Sequence, residues 1–183
     1  YYPKKGENMH DAVQRESKAA RDSAGILDAS TLGKIDIQGT DASEFLNRVY
    51  TNAWSKLAIG KCRYGLMLNE DGMVYDDGVT TRLDENHYIM TTTTGGAATV
   101  LGKLEDYLQT EWPELDVYLT SVTDHYATIS VCGPNSKKIV SKVIPDLDLS
   151  DENFPHMSFK NTKIDKIKCR VMRISFTGEH SYE

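Results

Sequence analysis

No stretch of this 183-residue sequence is apolar over the length a bilayer core demands, and its beginning lacks the basic-then-apolar pattern of a secretion signal. A membrane span is therefore not expected, and the expected location is cytoplasmic. Positive charge is also scarce. With 21 Lys and Arg against 27 Asp and Glu the net charge is −6, the wrong sign for general attachment to nucleic acid or to an anionic membrane surface. The three cysteines, Cys62, Cys132 and Cys169, form no close Cys–Cys or Cys–His pair, so they are expected as reduced, mostly buried thiols rather than a metal frame or a disulfide scaffold. His10, His87, His125, His156 and His180 are scattered without ligand spacing, which leaves a zinc site without support. A glycine-rich dinucleotide fingerprint, a phosphate loop and a nucleophile elbow are all missing too, so nothing here points to nucleotide or serine-hydrolase chemistry.

What is present is an ordinary globular composition with enough apolar residues for one large domain or two small ones. The chain starts at Tyr1 and stops at Tyr182-Glu183 inside a strand-like segment, so a truncated piece of a longer polypeptide is expected. Met9 to Ser23 reads as a solvated helix, with Gly25 just past its end. Lys34 to Gln38 alternates like a half-exposed strand, and Asp41-Ala42-Ser43-Glu44 has the spacing of a capping box opening a helix that carries Phe45, Leu46 and Val49. Gly65 to Thr81 reads as a hairpin turning at Asn69-Glu70-Asp71-Gly72, and a third strand follows from His87 to Thr93. After Gly95-Gly96, the spacing of Val100, Leu101, Leu104 and Leu108 predicts a helix closed by Pro113, then a strand from Leu115 to Val122. Strand, helix, strand pair, strand, helix, strand is the order of an α+β fold, antiparallel sheets with crossing helices and a ferredoxin-like unit, expected over residues 1–123.

A second α+β unit is expected over 124–183. It runs from a strand at His125 to Cys132, through a helix with Pro134 at its first position and Ile139, Val140, Val143 and Ile144 on one face, to strands between Ile164 and Phe176. Lys163, Lys166, Lys168 and Arg170 make a local basic patch there, either a solvated strand face or a place for an anion.

Two groups of residues carry candidate chemistry. Asp76 and Asp77 stand side by side in the second hairpin strand, where Asp is disfavoured and neighbours point to opposite faces, so one of them faces whatever the sheet packs on. Such a carboxylate needs a partner, a cation or a role; the alternative is an edge strand with both acids solvated or capping local amides. The other is Phe176-Thr177-Gly178-Glu179, a turn presenting a carboxylate beside an aromatic ring. That pairing suits a flat heterocycle, the two oxygens accepting in parallel from an amino group and a ring N–H while the ring stacks. Pairing of Glu179 with Arg173 is the alternative.

Leu27-Asp28-Ala29-Ser30, Gly72 through Asp77-Gly78-Val79, Cys132-Gly133-Pro134-Asn135 and Phe176-Thr177-Gly178-Glu179 together resemble, in order and spacing, the folate-binding aminomethyltransferase family that includes the glycine cleavage T-protein. Gly25 to Lys34, Thr110 to Leu115 and Tyr118 to His125 are similar to the branch of that family formed by the α subunit of heterotetrameric sarcosine oxidase, and the resemblance covers nearly the whole chain. It implies an aminomethyltransferase-type folate-binding fold, here truncated, with tetrahydrofolate as cofactor, a small-molecule substrate and other sarcosine oxidase subunits as partners. FAD, FMN and NAD would belong to the full complex, outside these residues. The resemblance gives Asp77 the place of the family's catalytic aspartate and Glu179 that of the acid holding the pterin, with Tyr64, Leu32 and Phe176 lining the pocket. Thr91 and Thr93 fall at cofactor-contact positions where glycine-cleavage proteins resemble one another in having Val and Asn, a departure that favours the sarcosine oxidase branch. A stand-alone glycine-cleavage-type aminomethyltransferase acting on a lipoyl-bound group, and a non-catalytic folate-binding module, are the alternatives.

Overall fold

A computed structural model describes residues 1–183. In chain order the elements are α1 (Met9–Asp22), β1 (Gly25–Asp28), β2 (Gly33–Gln38), α2 (Ala42–Val49), β3 (Cys62–Leu68), β4 (Val74–Asp84), β5 (His87–Thr92), α3 (Ala97–Thr110), β6 (Tyr118–Ser121), β7 (Ile129–Cys132), α4 (Ser136–Val143), β8 (Ser158–Ile164), β9 (Ile167–Arg173) and β10 (Ser181–Tyr182). They divide into two compact units, one made of Tyr1–Ala29 with Thr128–Glu183 and the other of Ser30–Ala127.

The unit of residues 30–127 is a five-stranded antiparallel sheet in the order β3-β4-β5-β2-β6. Its connectivity is that of the expected ferredoxin-like unit with one strand added: β2, β4, β5 and β6 make the four-stranded core and β3 extends it at the β4 edge. One sheet face is covered by the apolar stripes of α2 and α3. Phe45, Leu46, Val100 and Leu104 pack there against Ile35, Ile37, Met67, Tyr88 and Met90, all but fully buried. Burying each such side chain is worth roughly 1.5–3 kcal/mol, so this face fixes which side of every strand points inward. Trp54 closes the β3 end of the core and needs a flat floor; a Cβ on Gly65 would lie only 2.5 Å from its Cζ2. The expected capping box does not form. Asp41 spends its Oδ2 on the Asp116 N–H at 2.9 Å, and Glu44 pairs with Arg48 at 2.9 Å, because the loop before β6 supplies a nearer donor than the helix itself.

The other unit is organised on β7, which has β1 on one side and β10 on the other, both antiparallel. The register Gly25↔Cys132 through Asp28↔Ile129 joins the first 29 residues to residues 128–183. The sequence expectation kept residues 1–123 together; Ile26-Leu27 alone is too short to announce a strand, and its partner lies more than a hundred residues away. Helix α1 is capped by Asn8, whose Oδ1 accepts from the Asp11 N–H at 3.0 Å, and Arg15 holds the Glu7 carboxyl down to about 2. Helix α4 begins two residues after Pro134, with Asn135 as its cap, rather than at Pro134; Gly133, at φ 108°, makes the tight turn that precedes it. Val140, Ile144, Leu149, Phe154, Val171 and Tyr182 form the core. The β8–β9 hairpin starts at Ser158, earlier than the Ile164 expected, and sets Lys163 directly across from Lys168.

Candidate functional site

Strand alternation separates the two neighbouring aspartates. Asp76 stands opposite Met67 on the core side and is 4% exposed, whereas Asp77 stands opposite Leu66 on the face turned away from α2 and α3. A register shift between Met67 and Leu68 leaves Tyr75 as an extra residue just before the pair, and such a bulge re-aims the side chains that follow it. Asp76 is the acid that needed a partner, and it has one: Thr93 donates its hydroxyl to Oδ1 at 2.6 Å and its N–H to Oδ2 at 3.2 Å. The phenol of buried Tyr50 is pushed well up by burial first and by the charges of Asp76 and Asp77 after it.

Asp77 is held differently. The Tyr64 hydroxyl donates to its Oδ2 at 2.7 Å, and that hydrogen bond is the leading cause raising the Tyr64 phenol above its ordinary value. No protein group donates to Oδ1. Tyr64 itself is 50% exposed, so the pair sits at the surface of its unit with one carboxylate oxygen committed and one open.

The strand around Asp77 is tied to β5 by side chains rather than by a regular ladder. Ladder pairs between the two strands run from Thr80↔Met90 onward; before them, Thr91 Oγ1 accepts from the Val79 N–H at 2.9 Å and donates to the Val79 carbonyl at 3.2 Å. A Cβ on Gly78 would lie 1.9 Å from the Thr91 carbonyl oxygen, so only glycine permits this approach. Thr93 Oγ1, besides donating to Asp76, accepts from the Gly96 N–H at 3.0 Å ahead of α3. Leu32 is half-buried just before β2, next to a hydrogen bond between Thr31 and Thr94 hydroxyls at 3.0 Å. Its carbonyl and that of Ser30 accept from the Lys34 ammonium at 2.9 and 3.0 Å. Lys34, 4% exposed and paired with Thr91 across the sheet, had no signal in the sequence beyond its place in an alternating strand.

The second group lies in the other unit. Gly178, at φ 86°, closes a turn in which its N–H donates to Ser175 Oγ at 2.9 Å, and Glu179 follows with a side chain only 9% exposed. Its Oε1 is ion-paired with Arg21 of α1, and its Oε2 is buried with no hydrogen-bond partner. The carboxyl is held below the ordinary glutamate value, first by the Thr177 side chain, then by its own backbone N–H and then by the Arg21 charge, against the opposing effect of burial. Phe176 projects outward, 83% exposed. The expected alternative of a Glu179–Arg173 pair is not what forms. Arg173 instead meets Asp151 at 3.0 Å and His180 Nε2 at 3.0 Å and donates to the Phe154 carbonyl at 2.6 Å, because it lies in the core-facing part of β9. Burial, then the Arg173 charge, lowers His180.

The structure thus brings Asp77, Tyr64, Thr91, Thr93 and Leu32 into one unit and places Glu179 and Phe176 in the other. Arg21 is the partner sequence reasoning missed, since it is 158 positions from Glu179 and beyond any local pattern; of the aspartate pair, expected to hold one inward-facing acid, the structure makes that acid Asp76 and gives it Thr93.

Comparison with known proteins gives one family match, the GCVT N-terminal domain, over residues 1–183. The sarcosine oxidase subunit alpha of Corynebacterium sp. (strain U-96) is 56% identical over the whole chain, and that of Rhizobium meliloti (strain 1021) is 48% identical. The aminomethyltransferase of Listeria monocytogenes serotype 4a (strain HCC23) is 31% identical over 93% of the chain and 45% of its own length. The chain spans 19% of the length of the sarcosine oxidase subunits. Among solved structures, the glycine cleavage system aminomethyltransferase T from Bartonella henselae superposes with a TM-score of 0.78 at 24% identity, over 93% of this chain and 44% of that one. A chain of the heterotetrameric sarcosine oxidase from Corynebacterium sp. U-96, in complex with pyrrole 2-carboxylate, gives 0.60 at 15% identity, over 94% and 81%. Both likenesses bear out the α+β fold.

Proposed function

The chain belongs to the GCVT N-terminal domain family, and on that premise we propose that it is part of the tetrahydrofolate-binding domain of a sarcosine oxidase α subunit. The observation that carries the reading is Asp77, held by Tyr64 through one oxygen and open at the other on a surface-facing side of its sheet. Tetrahydrofolate supplies, when bound, the nucleophilic nitrogen that takes up the one-carbon unit released as sarcosine is oxidised. Asp77 would orient that nitrogen by accepting its proton through Oδ1 and would balance the positive charge that develops on it. Glu179 would take the pterin edge. Its donor-free Oε2 is the kind of buried acceptor that an amino group or ring N–H satisfies, and an acceptor left unpaired costs free energy until something donates to it. Exposed Phe176 is available to stack on a ring, Tyr64 and Leu32 would give apolar contact, and Thr91 and Thr93 border Asp77.

The flavin and nicotinamide groups of such an enzyme, FAD, FMN and NAD, are assigned to the rest of the longer polypeptide and to its partner subunits, in a cytoplasmic complex acting on a small N-methyl amino acid. Family membership by itself equally admits a glycine-cleavage aminomethyltransferase, and the 56% identity to a sarcosine oxidase α subunit against 31% to an aminomethyltransferase favours the first reading. The test uses the full-length protein and its Asp77→Ala and Glu179→Ala forms. Expected are a loss of methylenetetrahydrofolate as product in the first and weakened tetrahydrofolate binding in the second. Unchanged affinity and product partition in both would remove the assignment.

A further inference from the structure

Thr91 and Thr93 look, by their position beside Asp77, like hydroxyls that would contact a ligand. Their hydrogen bonds say otherwise. Thr91 Oγ1 both accepts from and donates to the backbone of Val79, at 2.9 and 3.2 Å. Thr93 Oγ1 donates to the buried Asp76 carboxylate at 2.6 Å and accepts from the Gly96 N–H at 3.0 Å. A hydroxyl has one proton to give, and both protons are directed at β4. The two attachment points, Asp76 and Val79, bracket Asp77-Gly78, and the bracketed stretch is where β4 has no regular ladder to β5. Tyr64, from β3, fixes the carboxylate itself.

We propose that Thr91 and Thr93, the latter through Asp76, are positioning residues that clamp the backbone on either side of Asp77, and that neither hydroxyl donates to the bound cofactor. Asp76 is consequently a structural anchor and not a second catalytic acid. Without the clamp, the β4 segment 76–79 would be held only from the β3 side, and the carboxylate would lose the fixed direction on which its rate contribution depends. This inference rests on Asp77 being the catalytic carboxylate.

Two measurements test it. In the ligand-free full-length protein, hydrogen exchange at the Val79 amide should quicken about fivefold or more in Thr91→Val, and at the Thr93 amide in Asp76→Asn, with Thr91→Ser restoring the Val79 protection. In the working enzyme, Thr91→Val and Thr93→Val should lower the rate of one-carbon transfer to tetrahydrofolate about tenfold while leaving its Kd within about twofold, and the Ser variants should recover most of the rate. A raised Kd with an unchanged rate would make the threonines ligand contacts and overturn the clamp. Unchanged exchange at Val79 would overturn it as well, without reference to the cofactor. Asp77→Asn, run alongside, separates the two levels: if Asp77→Asn leaves transfer intact, the functional reading fails and the clamp's role in catalysis with it, whereas loss in Asp77→Asn with no effect of the threonines sinks the clamp alone.

Discussion

Two carboxylates of this protein, Asp77 in a strand and Glu179 after a turn, are held by opposite strategies. Asp77 gets its place from neighbours on the two adjoining strands. β3 supplies Tyr64 and the ladder opposite Leu66, and β5 supplies Thr91 and Thr93. All of these lie within 17 residues of Asp76 or Asp77 in the sequence. Glu179 gets its place from a turn closed by Gly178 and from Arg21, in a helix at the other end of the chain. A strand acid is fixed in direction by its backbone, which suits a role in the chemical step. A turn acid with one oxygen paired and the other buried without a donor is set up instead to be completed by whatever brings the missing hydrogen bond. The difference predicts that the first residue governs rate and the second affinity.

The largest effect should come from breaking that division at Asp77. In the full-length protein, Asp77→Asn is expected to slow one-carbon transfer by about 10²-fold or more with little change in tetrahydrofolate Kd; an equal loss of both in a binding titration and a turnover assay would erase the contrast. Next is the support of the strand. Gly78→Ala drives a Cβ against the Thr91 carbonyl, so β4 must shift, and a loss of roughly 1–3 kcal/mol is expected in urea unfolding, against nothing measurable for Ala at the exposed turn residue Gly95, whose added Cβ meets no neighbour. Equal stability of the two variants would show that the close approach of β4 and β5 is not needed.

At the turn acid, Glu179→Gln should raise the Kd for tetrahydrofolate about tenfold while kcat at saturating cofactor holds, because an amide accepts through one oxygen where the carboxylate accepts through two. A drop in kcat at unchanged Kd would move Glu179 to the chemical step. The smallest effect is in pH dependence. His180, beside Glu179, is depressed below its ordinary value near 6.5 by burial and by Arg173. A histidine depressed on folding favours the native chain at and above its ordinary value, and that contribution is lost as pH falls through it, since the unfolded chain then binds the proton more readily. As pH falls from about 7 to about 5, amide protection factors at β7 and β10, taken relative to the intrinsic exchange rate at each pH, should therefore drop in the parent protein and less so in His180→Gln, while β3 and β4 show no difference between the two. Parallel curves would exclude His180 as the cause.

Local patterning carried much of the fold. The helical spacing of Val100, Leu101, Leu104 and Leu108 marked α3, the turn at Asn69 to Gly72 marked the β3–β4 hairpin, and the element order led to the ferredoxin-like unit. Where expectation and structure part, a distant partner is responsible. Asp41 caps nothing because Asp116 claims its carboxylate; Ile26-Leu27 becomes a strand only because β7 comes to lie beside it. Of the candidate site, the aspartate pair was visible because Asp in a strand contradicts propensity and so asks for a reason. Which of the two would be buried was not, since that turns on the bulge at Tyr75, which has no local signature.

What the sequence by itself determined is the alternation that sends Asp76 and Asp77 to opposite faces and the turn that presents Glu179, because each follows from the period of a strand or the conformational demands of a few consecutive residues. Only the tertiary structure decided that Asp76 is the anchored acid and Asp77 the open one, that the hydroxyls of Thr91 and Thr93 turn toward β4, and that Arg21 meets Glu179. Those outcomes depend on which polar groups come within about 3 Å of one another after the chain has packed, a distance that no one-dimensional pattern encodes.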